Sequence, residues 1–363
     1  AADMGKLIAR GVDLANSSYS IDDTATLVSG LSFEALNNAT AIDASATATV
    51  EQAAKLLSAT NSGTTTIDAV SGTAHDLLAL SLDGNDTITT LTVTDAANVA
   101  EATSLAAKAT NLVLATLSDT ADAVASTAGQ ALYGSATNIV VTDTATVAEA
   151  NTVLGAGNVT IAAVSGTADD ILTTTPLEAL NSGVTGEGIT LLTVTDAVTV
   201  ANATTLTGLT GVTSVSYSIS DDASAINALA TTDAEITSAT SIVADDGATL
   251  TAADMGKLIA RGVDLANSSY SIDDTATLVS GLSFEALNNA TAIDASATAT
   301  AEQAAKLLSA TNSGTTTIDA VSGTAHDLLA LSLDGNDTIT TLTVTDAANV
   351  AEATSLAAKP RTL

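Results

Sequence analysis

The stretch Thr90–Lys108, TLTVTDAANVAEATSLAAK, decides how the chain is read. Leu91–Thr94 alternates apolar and polar residues and is β-branched, the pattern of a strand, with Asp95 read as the residue that breaks it. Asn98 then stands three residues before Glu101, the spacing of a helix capping box. Val99, Ala102 and Leu105 follow on one face of a short helix. The unit is strand, acidic turn, capped helix, and it returns unchanged at Thr341–Lys359.

That return belongs to a longer repeat. Residues 1–108 match 252–359 at an offset of 251, with Val50 against Ala301 as the only difference. Within the 251 residues, the helix face V-x-x-A-x-x-L recurs as Val50/Ala53/Leu56, Val99/Ala102/Leu105 and Val200/Ala203/Leu206. Val147/Ala150/Val153 and Ala252/Met255/Leu258 are variants of it. Capping boxes are expected at Thr49/Gln52, Asn98/Glu101, Thr146/Glu149 and Thr251/Asp254. A second kind of unit alternates with the first: a strand, Asp or Gly, then Thr-Ala and an aliphatic pair. Examples are Tyr19–Val28, Val70–Leu78, Leu117–Val124, Val164–Leu172 and Tyr217–Ile226. Five pairs fill one long repeat, giving ten coils of about 25 residues.

One strand and one short helix per coil specify an α/β solenoid, a right-handed stack with one long parallel sheet. About fourteen strands, spaced about 4.8 Å apart, would make a rod of roughly 65–70 Å. The alternative is an all-β solenoid in which the short Ala-rich segments are strands. Aromatics are only 2% of the chain, so its core is built from small aliphatics, which suits a thin, elongated body. The only prolines are Pro176 and Pro360, and no linker or composition shift marks a boundary. The chain therefore reads as a single continuous solenoid over 1–363, with one repeat at 1–251, a partial copy at 252–359 and a non-repeat tail at 360–363. The opening AADMGKLIAR reads as the interior of a unit rather than a secretory leader.

Charge excludes whole classes of partner. The net charge is −32, and no Lys, Arg or His lies between Lys108 and Lys257. Nucleic acid and anionic membrane surfaces both require cations, so neither is an expected partner. No run of about eighteen apolar residues exists to span a bilayer. With no cysteine, disulfides and thiolate chemistry are absent.

The acidic residues after the strands, Asp23, Asp95, Asp119, Asp143, Asp196, Asp221 and Asp245, read as caps of helix N-termini. The other reading is a calcium-binding ladder between coils. Asp83-Gly84-Asn85-Asp86-Thr87-Ile88, repeated at Asp334–Ile339, resembles half of the nonapeptide of RTX-type calcium-binding repeats. That resemblance makes Asp83, Asn85, Asp86, Asp334, Asn336 and Asp337 candidate calcium ligands; otherwise the motif is a tight turn before a strand. Calcium is the only cofactor that these residues suggest. Thr92/Thr94, Thr193/Thr195 and Thr64–Thr66 read as strand formers rather than an ice-binding array. His75 and His326 are one position in two copies and read as partly exposed helix residues. Tyr19, Tyr217 and Tyr270, at equivalent strand positions, read as stacking between coils. The Asn-x-Ser/Thr sequons, Asn16 and Asn38 among them, are assigned no glycosylation.

The alternation of -SDTA- and -VTDxATVAEA- coils resembles the repeat regions of very large bacterial surface and secreted proteins, including RTX-type adhesins exported by type I secretion. The resemblance implies an extracellular stalk, filament or surface layer, with calcium favouring folding; open solenoid edges are expected to pair, so self-association end to end or laterally is expected. The alternative is an adhesin that binds a surface glycan through the irregular segment Thr173–Gly188, which holds Pro176, Glu178 and Glu187. An enzyme such as a β-helical lyase needs basic residues in its cleft, so no catalytic role is expected.

Overall fold

The computed structural model describes residues 1–173 and 188–359. Pro176, Glu178 and Glu187 of the irregular segment, and the tail 360–363, lie outside the described residues. The chain divides into two compact units: Ala1–Thr193 with Leu209–Ser214, and Val194–Gly208 with Val215–Leu363.

In the first unit, seven strands follow one another: β1 (Ser20–Thr24), β2 (Ala41–Thr49), β3 (Thr65–Gly72), β4 (Asp86–Ala97), β5 (Ala109–Asp119), β6 (Ala136–Thr146) and β7 (Val159–Gly166). Each pairs in parallel with the next. The division falls within β8 (Gly188–Val198) and β9 (Val212–Asp221), and the second unit continues with β10 (Ala239–Ala244) and β11 (Ala248–Leu250). It ends with β12 (Tyr270–Thr275), β13 (Ala292–Thr300), β14 (Thr316–Gly323) and β15 (Asp337–Val344). Here β9 pairs β10, and β11 to β15 pair in chain order, again in parallel. Strands alternate with short helices, as expected of an α/β solenoid, except that β11 follows β10 with no helix between, and the Ala-rich segments are helices rather than strands. In place of the one long sheet expected, the break between β10 and β11 leaves a ten-stranded and a five-stranded sheet.

Partners in register stand slightly closer along the chain than the expected coil length. Leu91 pairs Leu112, and Ile21 pairs Ile42. A second helix does not lengthen the coil: Ile21 to Ile42 encloses both Ala25–Ser29 and Phe33–Asn37, and Leu117 to Ile139 encloses both Ala121–Ala125 and Thr127–Gln130.

Both kinds of coil take the predicted form. Val50–Leu57, Val99–Ala106, Val147–Leu154 and Val200–Thr207 are eight-residue helices that bury the predicted Ala and Leu or Val positions. The second kind opens on Thr-Ala and buries an apolar pair three residues apart: Ala74/Leu77, Ala121/Val124, Ala223/Ile226. Helices this short are not stable alone, so packing against the sheet and the neighbouring coils is what holds them.

Three expectations change. The strand does not stop at Asp95; β4 runs on to Ala97, because Ala96 and Ala97 pair Thr116 and Leu117 of β5 after an irregularity beyond Val93. The capping boxes at Thr49, Asn98 and Thr146 have both arms. At Thr251 the shorter Asp254 instead accepts from the Thr251 hydroxyl at 2.9 Å, while the Asp254 N–H donates to Thr251 Oγ1. The tyrosines do not stack. Tyr19, Tyr217 and Tyr270 donate their hydroxyls to the carbonyls of Ala35, Glu235 and Ala286, each in a helix later in its own coil. Burial pushes Tyr217 and Tyr270 up to about 12.

Glycine marks close approach between coils. Register sets Gly72 opposite Val50, Gly166 opposite Val147 and Gly323 opposite Ala301. A Cβ on Gly72 would stand 2.3 Å from Val50 Cγ2, and one on Gly323 would stand 3.0 Å from Ala301 Cβ. Valine is stiff at χ1 and cannot swing clear. Gly72→Ala is therefore expected to lower stability by about 1–3 kcal/mol, Gly323→Ala by less, and Val50→Ala to relieve the first. Thermal melting of the three variants and of the Val50→Ala/Gly72→Ala pair checks the ranking.

Candidate functional site

An α-helix begins with backbone N–H groups that have no partner within it. In these coils the side chain of the N-cap residue takes the N–H three residues on: Thr73 from Asp76, Asn98 from Glu101, Thr199 from Asn202. The N–H of the first helical residue is still free, and its acceptor comes from the next coil. Asp95 accepts from Ala74 N at 2.7 Å, Asp119 from Val99 N at 3.0 Å and Asp143 from Ala121 N at 2.7 Å. Asp221 does the same for Val200 at 2.8 Å, Asp274 for Ala252 at 3.1 Å and Asp346 for Ala325 at 2.8 Å.

Of the carboxylates expected as caps, Asp95, Asp119, Asp143 and Asp221 are caps, but each caps the helix of the coil before it; Asp23 instead accepts from the terminal amine of Ala1. In three of the six caps the other oxygen is held as well. Asp119, Asp221 and Asp274 accept from the N–H of Thr120, Asp222 and Thr275 at 2.7–2.8 Å. Each of these aspartates spans two coils through two backbone bonds. Asp245 departs from the set and accepts from the Ser220 hydroxyl.

The opposite helix ends are served by cations, again from the following coil. Lys55 Nζ donates to the Leu31 carbonyl at 2.8 Å and lies 5.5 Å from the centre of the Phe33 ring. Lys108 reaches the carbonyls of Leu78 and Leu80. Lys306 reaches those of Ser280 and Leu282, and Arg261 those of Asn227 and Leu229. Acid at the N-terminal end and base at the C-terminal end both complement the helix dipole. Among the described residues the ion pairs are Lys6–Asp3, Lys257–Asp254 and the terminal amine with Asp23, so most carboxylates have no counter-charge.

The candidate calcium ligands form a turn before a strand. Asp83 accepts from Asn85 N and Asp86 accepts from Asp83 N, both at 2.8 Å, while the Asn85 carbonyl takes Thr65 N of β3. Asp334, Asn336 and Asp337 repeat these bonds with Thr316. One oxygen of each carboxylate is thus committed to the turn, and Asn85 is exposed. Burial, ahead of the neighbouring carboxylate, pushes Asp86 and Asp337 above the usual range. Among the described residues no group of three or more His, Asp or Glu is arranged to hold a metal ion. His75 and His326 are exposed on their helices, Thr92 is half-buried and Thr94 is exposed. Among the described residues no helix is long and apolar enough to cross a membrane.

The sequence reading did not single out the column on the outer face of β1 to β3. Asp22 pairs in register with Asp43, whose partner on β3 is Thr66, and Asp68 stands two residues further along β3 on the same outer face. Its copy is Asp273, Asp294 and Asp319. The local signal was that each aspartate follows a buried isoleucine in its strand, at Ile21, Ile42 and Ile67, and so points outward. Burial first, then Asp22 and Asp68, push Asp43 up; burial, then Asp273 and Asp319, do the same to Asp294.

No protein-family model and no curated protein matches this chain.

Two predictions follow from the carboxylates. Asp119→Ala leaves the N–H groups of Val99 and Thr120 without their acceptor and is expected to cost about 1–3 kcal/mol, read as a lowered Tm; Asp119→Asn, which keeps one acceptor oxygen, costs less. Asp43 and Asp294 behave oppositely. A carboxyl raised in the fold favours its protonated form, so it penalises folding as pH rises through the carboxylate range. The Asp43→Asn/Asp294→Asn variant should melt about 1–2 °C higher than the parent at pH 7 and together with it near pH 3. Equal melting at both pH values would refute the repulsion.

Proposed function

We infer that the chain is part of an extracellular structural protein, a right-handed α/β solenoid that serves as a rod, stalk, filament or surface-layer element and associates with further copies. The observation that carries this reading is the reuse of one set of bonds. The carboxylate caps of Asp95 and Asp346, and the turns at Asp83 and Asp334, recur 251 residues apart with the same partners and near-equal distances. A coil completed by its neighbour can be added without limit, and length is the property that such addition changes. The resemblance of the alternating units to repeat regions of bacterial surface proteins supports an extracellular setting. The reading assigns the chain no catalysis and no membrane insertion. Calcium enters it only as an ion that screens unpaired carboxylates.

The test is to lengthen the chain by one 251-residue copy and compare the two by small-angle scattering. A rod gains about 48 Å in maximum dimension for ten coils at about 4.8 Å each. A globule's radius of gyration would instead rise only as about the 0.38 power of chain length, and that result would refute the rod.

A further inference from the structure

The chain's only two phenylalanines, Phe33 and Phe284, stand outside its core, each 50% exposed. In the same two coils Leu27 is 51% and Leu278 is 53% exposed. The exposure is the same in both copies, although β12 of the second pairs on both sides, so it belongs to the coil and not to its place in the chain. Other coils differ here. At the position of Leu278 they carry Asp76, Ala123, Asp170 and Ala225. At that of Phe284, the first residue of a second helix, they carry Thr127 and Ala234. The coil needs neither large side chain to fold, since coils without them take the same form, and apolar side chains gathered on a polar surface mark a contact.

Lys306, from the following coil, covers one side of the Phe284 ring, with Nζ 5.4 Å from its centre, and spends its hydrogen bonds on the carbonyls of Ser280 and Leu282. The charges left facing outward lie on the two flanking helices. The helix before, Ala252–Ala260, carries exposed Lys257, which is paired with Asp254 of the same helix. The helix after, Ala301–Leu308, carries exposed Glu302, which is in none of the ion pairs among the described residues. The face thus reads cation, apolar coil, anion in the order of the strands β11 to β13. On a chain of net charge −32 it is also balanced: Asp254, Glu285 and Glu302 stand with Lys257, Arg261 and Lys306.

We propose that two copies of this chain pair side by side through this face, about a two-fold axis perpendicular to the direction in which its coils stack. Leu278 and Phe284 of one copy cover those of the other. The axis sets the helix Ala252–Ala260 of each copy against Ala301–Leu308 of the second, so Lys257 faces Glu302 twice. A second copy is the occupant because the face is complementary to itself in both charge and apolar surface, and an isologous contact of this kind closes on a dimer. So few residues a side make the contact a weak one. It deepens the self-association named above and rests on that reading.

Each chain carries the apolar pair twice, so the test starts from Leu27→Ala/Phe33→Thr, which leaves one. Alanine and threonine are what other coils carry at these positions, as at Ala123 and Thr127, so the fold is kept. By sedimentation this parent is expected to reach a plateau at the dimer. Adding Leu278→Ala/Phe284→Thr should raise the Kd about tenfold or more, with circular dichroism unchanged. Glu302→Lys should weaken the dimer by setting lysine against lysine. Lys257→Glu combined with Glu302→Lys should restore it, which a loss of fold would not do. A parent that stays monomeric to about 1 mM, a mass that climbs past the dimer, association indifferent to Leu278 and Phe284, or a charge swap that restores nothing would each overturn the proposal. Scattering from the variant lacking both apolar pairs still reads the shape of the single chain, so failure of the rod and failure of the dimer are separate results.

Discussion

Each helix in this fold starts with an N–H that its own coil does not satisfy. The N-cap side chain reaches the third residue, and the capping-box carboxylate or amide turns back to the N-cap. The first helical residue is out of reach of both. In six helices its acceptor is an aspartate 20–22 residues on, as at Asp119 for Val99 or Asp143 for Ala121. This one bond ties the helix layer to the strand layer of the next coil, so sheet register and helix stacking are set together. Where the facing residue is glycine, as at Gly72 and Gly166, the N1 valine side chain occupies the space that the carboxylate would have used. Aspartate and glycine are therefore two solutions of the same constraint.

The same constraint explains an acidic chain with so few cations. Carboxylates are consumed by backbone N–H groups, which need no counter-ion. The lysines and Arg261 are consumed by carbonyls at the other helix ends. Charge then serves hydrogen bonding between coils more than ion pairing, and a backbone bond to a charged group is the stronger kind. The acids left over face solvent, and in the column Asp22–Asp43–Asp68 they repel one another. Such a surface resists nonspecific lateral contact.

Much of this was legible in the sequence. The three-residue spacing of Val99, Ala102 and Leu105 gave the helix, and the Asn98–Glu101 pair gave its start, because both are local signals. The alternation of two coil kinds followed from the repeats. Asp95 was legible as a cap but not as the cap of Ala74, because propensity says which residue ends a helix and only register says whose helix it is. The same gap hid the end of β4, which is fixed by pairing with β5 rather than by its own residues. The tyrosines were misread for a related reason. Equivalent strand positions suggested contact between coils, but a buried hydroxyl must find an acceptor, and the nearest carbonyl lies in the same coil. The Asp83 turn resembled a fragment of an ion site because turns and ion sites use the same glycine and carboxylates; its own N–H groups are what those carboxylates bind.

A chain whose coils so often complete the ones before them is hard to change one residue at a time and easy to copy in blocks. A substitution at a cap must be matched one coil away. A copied block carries all its internal pairs with it, and only the junction must be satisfied anew; here Thr251–Ala252 meets Asp274, within one bond of the ordinary arrangement. The one residue that differs between the copies obeys this logic. Val50 and Ala301 stand at the first helical position facing glycine, where no side chain of the next coil caps them. Trimming valine to alanine there removes a contact and breaks no hydrogen bond. Facing an aspartate, a change at the partner would strand a donor. Near-identity over 108 residues is thus what coil-to-coil bonding favours, and the single exception falls where that bonding is absent.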